Sequence, residues 1–598
     1  MIRMTKTQTV SILTAGGLFA LALATPMAAH AAERAAPDIA AATEAQSVPP
    51  QLSAGEREKY RTLFGHIRAQ RWADARVLLD SLPKGGINDF ARAELLLAAG
   101  SPKADPAELA ALVTAAPNLP QASRLATLAS KRGALSLPVL PSEQRLQWAG
   151  GPPRRTGAER GDDPAAAGLV RSIPERIKND DPAGAEALLT AAMPGMTDAA
   201  RAEWQQRVAW SYYIENDDVS ALRLAHEAAS GTGEWPTQAS WIEGLAAWRS
   251  GDYRTADTAF TRVAREGADS ETRAAGAYWS ARTAMALGQP AQVQPRLRQA
   301  AANNETFYGI LASDSLGLAQ AVQREGSRTD RSAWRRLSDN DNVKLAVALN
   351  EIGESDYADD VLRHQARIGR ADQHQALAGI ANALSLPETQ LFLAHNTPGG
   401  KRPDSSARYP MPNWQPTGGW RVDPALVFAH TLQESQFKRN AVSPAGAMGL
   451  MQVRPGTAKD IARWRGSDEA AAANLRVPAV NMDFGQSYLQ YLAGGQATGG
   501  LLPKVIAAYN AGPTPIARWN SEVHDGGDPL LYIESIPYWE TRGYVATVLR
   551  NYWMYEQQVG TDSDSRTAIA QGRWPAFPDL TKGRSIQLSY GTALPNAD

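Results

Sequence analysis

Between about residues 200 and 310 the chain repeats itself, and that repeat constrains its architecture more than any other feature. The segments Ala209-Trp210 to Asn216-Asp217, Ala247-Trp248 to Gly251-Asp252, and Thr283-Ala284 to Gly288-Gln289 recur at spacings of 35 to 38 residues. Each sets small and aromatic or apolar residues at helical spacing and ends in a polar or glycine turn; the second runs on into another alanine-containing helix, Thr255 to Phe260. Stacked helical hairpins need this pattern, because small residues let helices approach and aromatics fill the gaps. An ordinary helical bundle with coincident spacing is the alternative, and either makes residues 51 to about 395 all-helical. Trp204, Trp210, Trp235, Trp241, Trp248 and Trp279 cluster here. Their helical spacing predicts core packing in preference to stacking on sugar rings.

Residues 51–132 also carry helical periodicity, broken at Pro83-Lys84-Gly85-Gly86. A loose stretch from Pro138 through Gly150-Gly151-Pro152-Pro153 ends this first group, and strand-like alternation is hardly visible. Between 397 and 419 lie five prolines and four glycines, too many for a helix. The expected organisation is therefore a signal peptide (1–31), a flexible leader (32–50), a helical-repeat superhelical domain (51–330), a helical linker domain (331–396), a Pro/Gly-rich linker (397–420), a catalytic domain (421–558) and a C-terminal tail (559–598).

The first segment rests on Arg3 and Lys6 before an apolar run from Val10 to Ala24, then Ala29-His30-Ala31 as a small-x-small cleavage site. The run falls short of the ~20 apolar residues of a membrane span, so export with cleavage is expected, leaving no transmembrane segment in the mature chain. The 598 residues contain no cysteine. That excludes thiol nucleophiles, disulfides and cysteine-ligated metals. With 61 Lys+Arg against 62 Asp+Glu the net charge is -1, which argues against general affinity for nucleic acid. The eight histidines show no metal-ligand spacing, and no metal or cofactor is expected.

Chemistry is concentrated after residue 420. Asp423-Pro424 opens a helix with an acidic N-cap and proline at its first position. Along it Val427, Thr431 and Glu434 share one face, so Glu434 is held against apolar neighbours, which disfavours its anion and raises its pKa toward that of a proton donor. Seen alone, Glu434 reads rather as a solvated helix-end glutamate, and only the motifs that follow favour the proton donor. Pro444 to Gln452 is rich in small residues and glycine, a backbone that lets a ligand come close. Ala507-Ala508-Tyr509-Asn510-Ala511-Gly512 ends a further helix. Tyr532-Ile533-Glu534-Ser535-Ile536-Pro537 then places a second carboxylate in a loop before a last helix from Thr541 to Tyr555.

The string Gln433-Glu434-Ser435, then Ser443-Pro444, Gly446-Ala447, Gly449-Leu450-Met451-Gln452 and Pro455, then Ala508-Tyr509-Asn510-Ala511-Gly512, Glu534-Ser535-Ile536-Pro537 and Glu540-Thr541-Arg542 closely resembles the soluble lytic transglycosylase family. Tyr278-Trp279-Ser280-Ala281-Arg282 and Phe307-Tyr308-Gly309 resemble its helical half. The resemblance implies a mainly α protein, a ring-like superhelix followed by a goose-lysozyme-like α+β catalytic domain. It implies periplasmic cleavage of the β-1,4 bond between N-acetylmuramic acid and N-acetylglucosamine in peptidoglycan strands, with other cell-wall enzymes as further partners. By the same resemblance Glu434 is the single catalytic acid, then base, closing a 1,6-anhydro ring. Ser443, Gln452, Tyr509 and Glu534 match groove-lining positions, with Met451 and Asn510 shaping the groove from behind. Glu534 also reads as a brace for its own loop. A single carboxyl that is both acid and base must have a raised pKa.

Two positions depart from the family pattern. Many relatives carry Arg two residues before the catalytic Glu, where this chain has Leu432, so no cation there favours the carboxylate. Arg454 stands where an apolar residue is usual, and solvent exposure is its expected state. A hydrolytic muramidase on the same scaffold, or a glycan-holding scaffold without activity, are the alternative functions.

Overall fold

The computed structural model describes residues 48–231, 234–318, 326–400, 405–466 and 474–581. The expected signal peptide, nearly all of the leader, residues 401–404 of the expected linker and the end of the tail lie outside those residues.

The described chain is mainly α. In the repeat region the helices Asp198–Ile214, Asp218–Ala229, Trp235–Arg249, Tyr253–Glu266, Ser270–Ala286 and Pro290–Ala301 pack each on the next. The recurring turn explains the period. Asn216, Gly251 and Gly288 all take positive φ (61°, 78° and 65°), reversing the chain after a helix. The next residue, Asp217 or Asp252, then caps the following helix by accepting the N–H of Ser220 or Thr255. In the third copy Gln289 makes no such cap, and Pro290 at the first helical position starts the helix instead. Helices approach closely where the repeat puts glycine: a Cβ on Gly276 would fall 2.4 Å from the Ala264 backbone nitrogen. The tryptophans are core, as expected. Trp279 is fully buried, edge-on to Trp241 and Trp248, at 6.3 and 5.5 Å between ring centres.

Two apolar cores hold the chain. One joins residues 52–129 to residues 333–393, so the first described helices pack against the last ones before the linker. The Glu351 carboxylate fastens this junction by accepting the N–H groups of Gln51 and Leu52. The other core joins the repeat helices, through Phe307–Ser315, to residues 409–574. Leu146–Trp148 pairs antiparallel with Asn396–Pro398, Gln147 opposite Thr397. Three residues per strand are too few to show alternation, which is why the sequence reads as loop there.

In the C-terminal part, Pro424–Ser435 is a central helix, buried continuously from Pro424 to Leu432. It packs against the long helix Trp539–Val559, which starts two residues earlier than expected and ends at Gly560 with φ 72°. Among the described residues β structure here is confined to isolated bridges, including Val442 with Met448 and Met448 with Val453. Residues 561–581 are integral to this part. The helix Asp564–Ala570 follows, Pro575 O accepts Leu502 N–H at 2.9 Å, Phe577 N–H reaches Gly500 O, and Leu580 N–H reaches Arg421 O. Among the described residues no helix is long and apolar enough to cross a membrane.

Candidate active site

Glu434 is the penultimate residue of the central helix. Directly after it the chain turns through two left-handed residues, Gln436 and Phe437 (φ 53° and 64°). That turn ends the helix and leaves Glu434 at its mouth, largely buried. Burial pushes its carboxyl up to about 7; a hydrogen bond from Tyr544 opposes the rise and the charge of Glu540 adds to it. The expectation of a raised value thus holds, and for the expected reason, apolar enclosure. Leu432 is itself buried at 6% exposure, so this position brings no cation to Glu434.

The Tyr544 hydroxyl donates to Glu434 Oε1 at 2.6 Å and lies 2.9 Å from His430 Nδ1. Burial, and then the Glu434 charge, drives the Tyr544 phenol far above its ordinary value, so it stays a donor. Sequence reasoning missed Tyr544, which sits on the last helix three residues beyond Thr541. Glu540, quoted only within a motif, is exposed and acts on Glu434 through charge.

The glycine-rich segment forms a tight loop beside this pair. Ser443 N–H donates to Ala447 O, and Ser443 Oγ accepts the Ala447 N–H at 3.0 Å. Asn481 staples the loop from beneath. Its Oδ1 accepts Met451 N–H, and its Nδ2 donates to Met448 O and Leu475 O. Gly449 must be glycine: its φ is 74° and a Cβ would lie 2.2 Å from Leu475 O.

The remaining expected residues take distinct places. Met451 is fully buried, and its carbonyl accepts the Tyr509 hydroxyl at 2.8 Å. The Tyr509 ring lies against His430 and Tyr488, and the Glu434 charge contributes to its strongly raised phenol after burial. Gln452, at φ 49°, turns its NH2 onto Gly449 O and Ala441 O. Asn510 is exposed, its amide oxygen accepting from Thr541 at 2.6 Å. Arg454 is exposed. Glu434, Tyr509 and the loop from Ser443 to Gln452 are therefore brought together.

Glu534 is not presented to a ligand in this arrangement. It ends the short helix Pro529–Glu534 and does not sit in a loop. It is 2% exposed, and both oxygens are bound by Arg155, at 2.9 and 2.7 Å, with the Tyr308 hydroxyl donating at 2.6 Å. The partners come from the helical half, not from the loop the carboxylate was expected to brace. The adjacent Ser535 hydroxyl meets Tyr213 at 2.7 Å, another residue of that half.

Comparison with known proteins fits this geometry. Residues 413–530 match the transglycosylase SLT domain model, a span that holds Glu434, the glycine-rich loop, Tyr509 and Asn510, and stops short of Glu534 and Tyr544. The soluble lytic murein transglycosylase of Salmonella typhimurium is 29% identical over 325 residues, covering 52% of this chain and 47% of that one. The Escherichia coli K12 protein of the same name is 35% identical over 158 residues, 26% of this chain and 24% of that one. The chain thus spans about half, or less, of the length of these curated relatives. In fold it is similar to the 70 kDa soluble lytic transglycosylase of Escherichia coli, with TM-score 0.52, 20% identity, and 90% and 91% of the two chains covered. Family model, curated relatives and fold agree with the motifs read from the residues: residues 413–530 match a transglycosylase SLT domain, in a chain whose sequence and fold are similar to those of soluble lytic transglycosylases.

Proposed function

We propose that this chain is a peptidoglycan lytic transglycosylase in which Glu434 is the only acid–base group. As the acid, Glu434 protonates the glycosidic oxygen while the muramoyl C1–O bond breaks. The resulting carboxylate then takes the proton of the muramoyl C6 hydroxyl, whose oxygen closes on C1. Glu434 ends protonated, as it began, and no water enters the products. The observation that carries this reading is the enclosed Glu434 carboxyl, held near 7 by burial and hydrogen-bonded to Tyr544. A group poised there is protonated for the first step and ionisable for the second. The substrate's acetamido group stands in for the second carboxylate of ordinary glycosidases, as in substrate-assisted families.

Ser443, Gln452, Tyr509 and Asn510 are assigned to the groove, with Met451 behind it. Tyr509 and Gln452 act chiefly by holding the loop in shape, since their polar groups are bonded to its backbone. The substrate is the peptidoglycan glycan strand, and the compartment is the periplasm, reached through residues 1–31.

One observation favours a second reading. Glu540 is a carboxylate close enough for its charge to act on Glu434; if it activated water, the chain would be a muramidase. Mass analysis of digests of purified sacculi separates the two. Anhydromuramoyl products that vanish with Glu434→Gln support the transglycosylase. Water-added products that vanish with Glu540→Gln support the muramidase.

A further inference from the structure

The Tyr544 hydroxyl has one hydrogen and two neighbours, Glu434 Oε1 at 2.6 Å and His430 Nδ1 at 2.9 Å. That shortage makes the direction of the chain a choice between two states. Either His430 Nδ1–H donates to Tyr544 and Tyr544 donates to Glu434, or Glu434 donates to Tyr544 and Tyr544 donates to an Nε2–H tautomer of His430. In the second state the acidic proton of Glu434 is tied up on Tyr544. In the first, Oε1 is an acceptor and the proton sits on Oε2, free to leave.

The surroundings of His430 select between them. The residue is fully buried, and among the described residues its Nε2 has no hydrogen-bond partner. A buried N–H without a partner is rarer and costlier than an unpaired lone pair. The Nδ1–H tautomer is therefore favoured. From the packed elements, Tyr544 on the long helix and Tyr509 on Leu502–Ala511 face the ring. Tyr488, on Pro478–Gly494, lies behind Tyr509. Glu434 is one turn along His430's own helix, with Glu540 acting on it. Burial alone lowers His430, to about 3, so it stays neutral across the working range of pH.

We propose that His430 is a positioning residue: as the neutral Nδ1–H tautomer it fixes the Tyr544 hydroxyl on Glu434 Oε1 and so sets Oε2 as the oxygen that delivers the proton. This rests on Glu434 being the acid, but its central claim, the tautomer, is measurable without turnover. Nitrogen-15 spectroscopy of the unaltered protein, with His430 assigned by loss of its signals in His430→Asn, is expected to show a protonated Nδ1 and a bare Nε2 from pH 5 to 8. A proton on Nε2, or an imidazolium, overturns the proposal.

Kinetics on sacculi supply the second arm. His430→Leu is expected to lower kcat about tenfold with KM within about twofold, and to move the limb reporting Glu434 to higher pH, because Tyr544 becomes a weaker donor to the carboxylate. His430→Asn, whose amide N–H replaces Nδ1–H, is expected to restore most of the rate. In a Tyr544→Phe background, His430→Leu is expected to cost less than about twofold, since the relay is already broken. An equal cost in both backgrounds overturns the proposal. If the unaltered protein releases no muramoyl product, the functional reading fails and the tautomer alone decides this one.

Discussion

Arg155 and Glu534, 379 residues apart in the chain, meet in a two-pronged ion pair at 2.9 and 2.7 Å. Arg155 also lies over the Trp241 ring at 4.4 Å, and Tyr308 completes the enclosure of Glu534. Glu534 precedes the segment that opens the long helix, and that helix carries Glu540, Thr541 and Tyr544. The helical half thereby grips the element that holds the partner of Glu434.

The pair predicts strong coupling. Arg155→Ala leaves a buried carboxylate unpaired and is expected to destabilise the fold by about 3 kcal/mol, whereas removing both charges with Glu534→Gln costs less than the sum of the singles. Chemical denaturation of the four proteins of the cycle checks this; additive losses would show that the pair is not coupled.

Glu540 is an exposed charge that raises Glu434. Glu540→Gln removes a like charge, so the carboxylate becomes easier to form and the Glu434 limb moves to lower pH. The pH dependence of kcat/KM reads the shift, and movement to higher pH contradicts the assignment.

Gly449 and Gly446 share positive φ, 74° and 76°, but differ in space. At Gly449 a Cβ meets Leu475 O at 2.2 Å and Asn481 Nδ2 at 2.4 Å, while nothing lies within 4 Å at Gly446. Gly446→Ala is expected to cost only the left-handed strain, about 1 kcal/mol. Gly449→Ala must also displace the loop and is expected to lose more than about tenfold in activity. Thermal melts with activity assays separate the two.

How much of this was legible follows from range along the chain. The cap at Asp423-Pro424, the stop at Gly512 and the repeat turns at Asn216, Gly251 and Gly288 are local devices, and the residues alone disclose them. The raised Glu434 was legible because its cause, apolar neighbours, lies on its own helix. Tyr544 was hidden because the contact spans 110 residues. Asn481 carries no sign of being the staple under the loop. Nothing in Gly150 to Arg155 announces a cation destined for Glu534; the motif around Glu534 read as groove lining because its partners lie in the other half of the chain.

Glu556 gives stability a pH dependence independent of catalysis. Burial, then the Asp423 charge, pushes its carboxyl from an ordinary 4.5 up to about 8. Between those values the folded chain holds a proton that the unfolded chain has released, so stability is full below about 4.5 and falls as pH rises through about 8. The expected loss is on the order of 5 kcal/mol. Denaturation midpoints from pH 5 to 9 are expected to flatten in Glu556→Gln; an unchanged slope would place the titration elsewhere.

The claim that Glu434 alone serves as acid and base is tested most directly by digesting sacculi in heavy-oxygen water. Attack by the muramoyl C6 hydroxyl incorporates no solvent oxygen, so the account predicts anhydromuramoyl ends without label, and none of them with Glu434→Gln. One heavy oxygen at each new muramoyl end would mean that water is the nucleophile, and would contradict it.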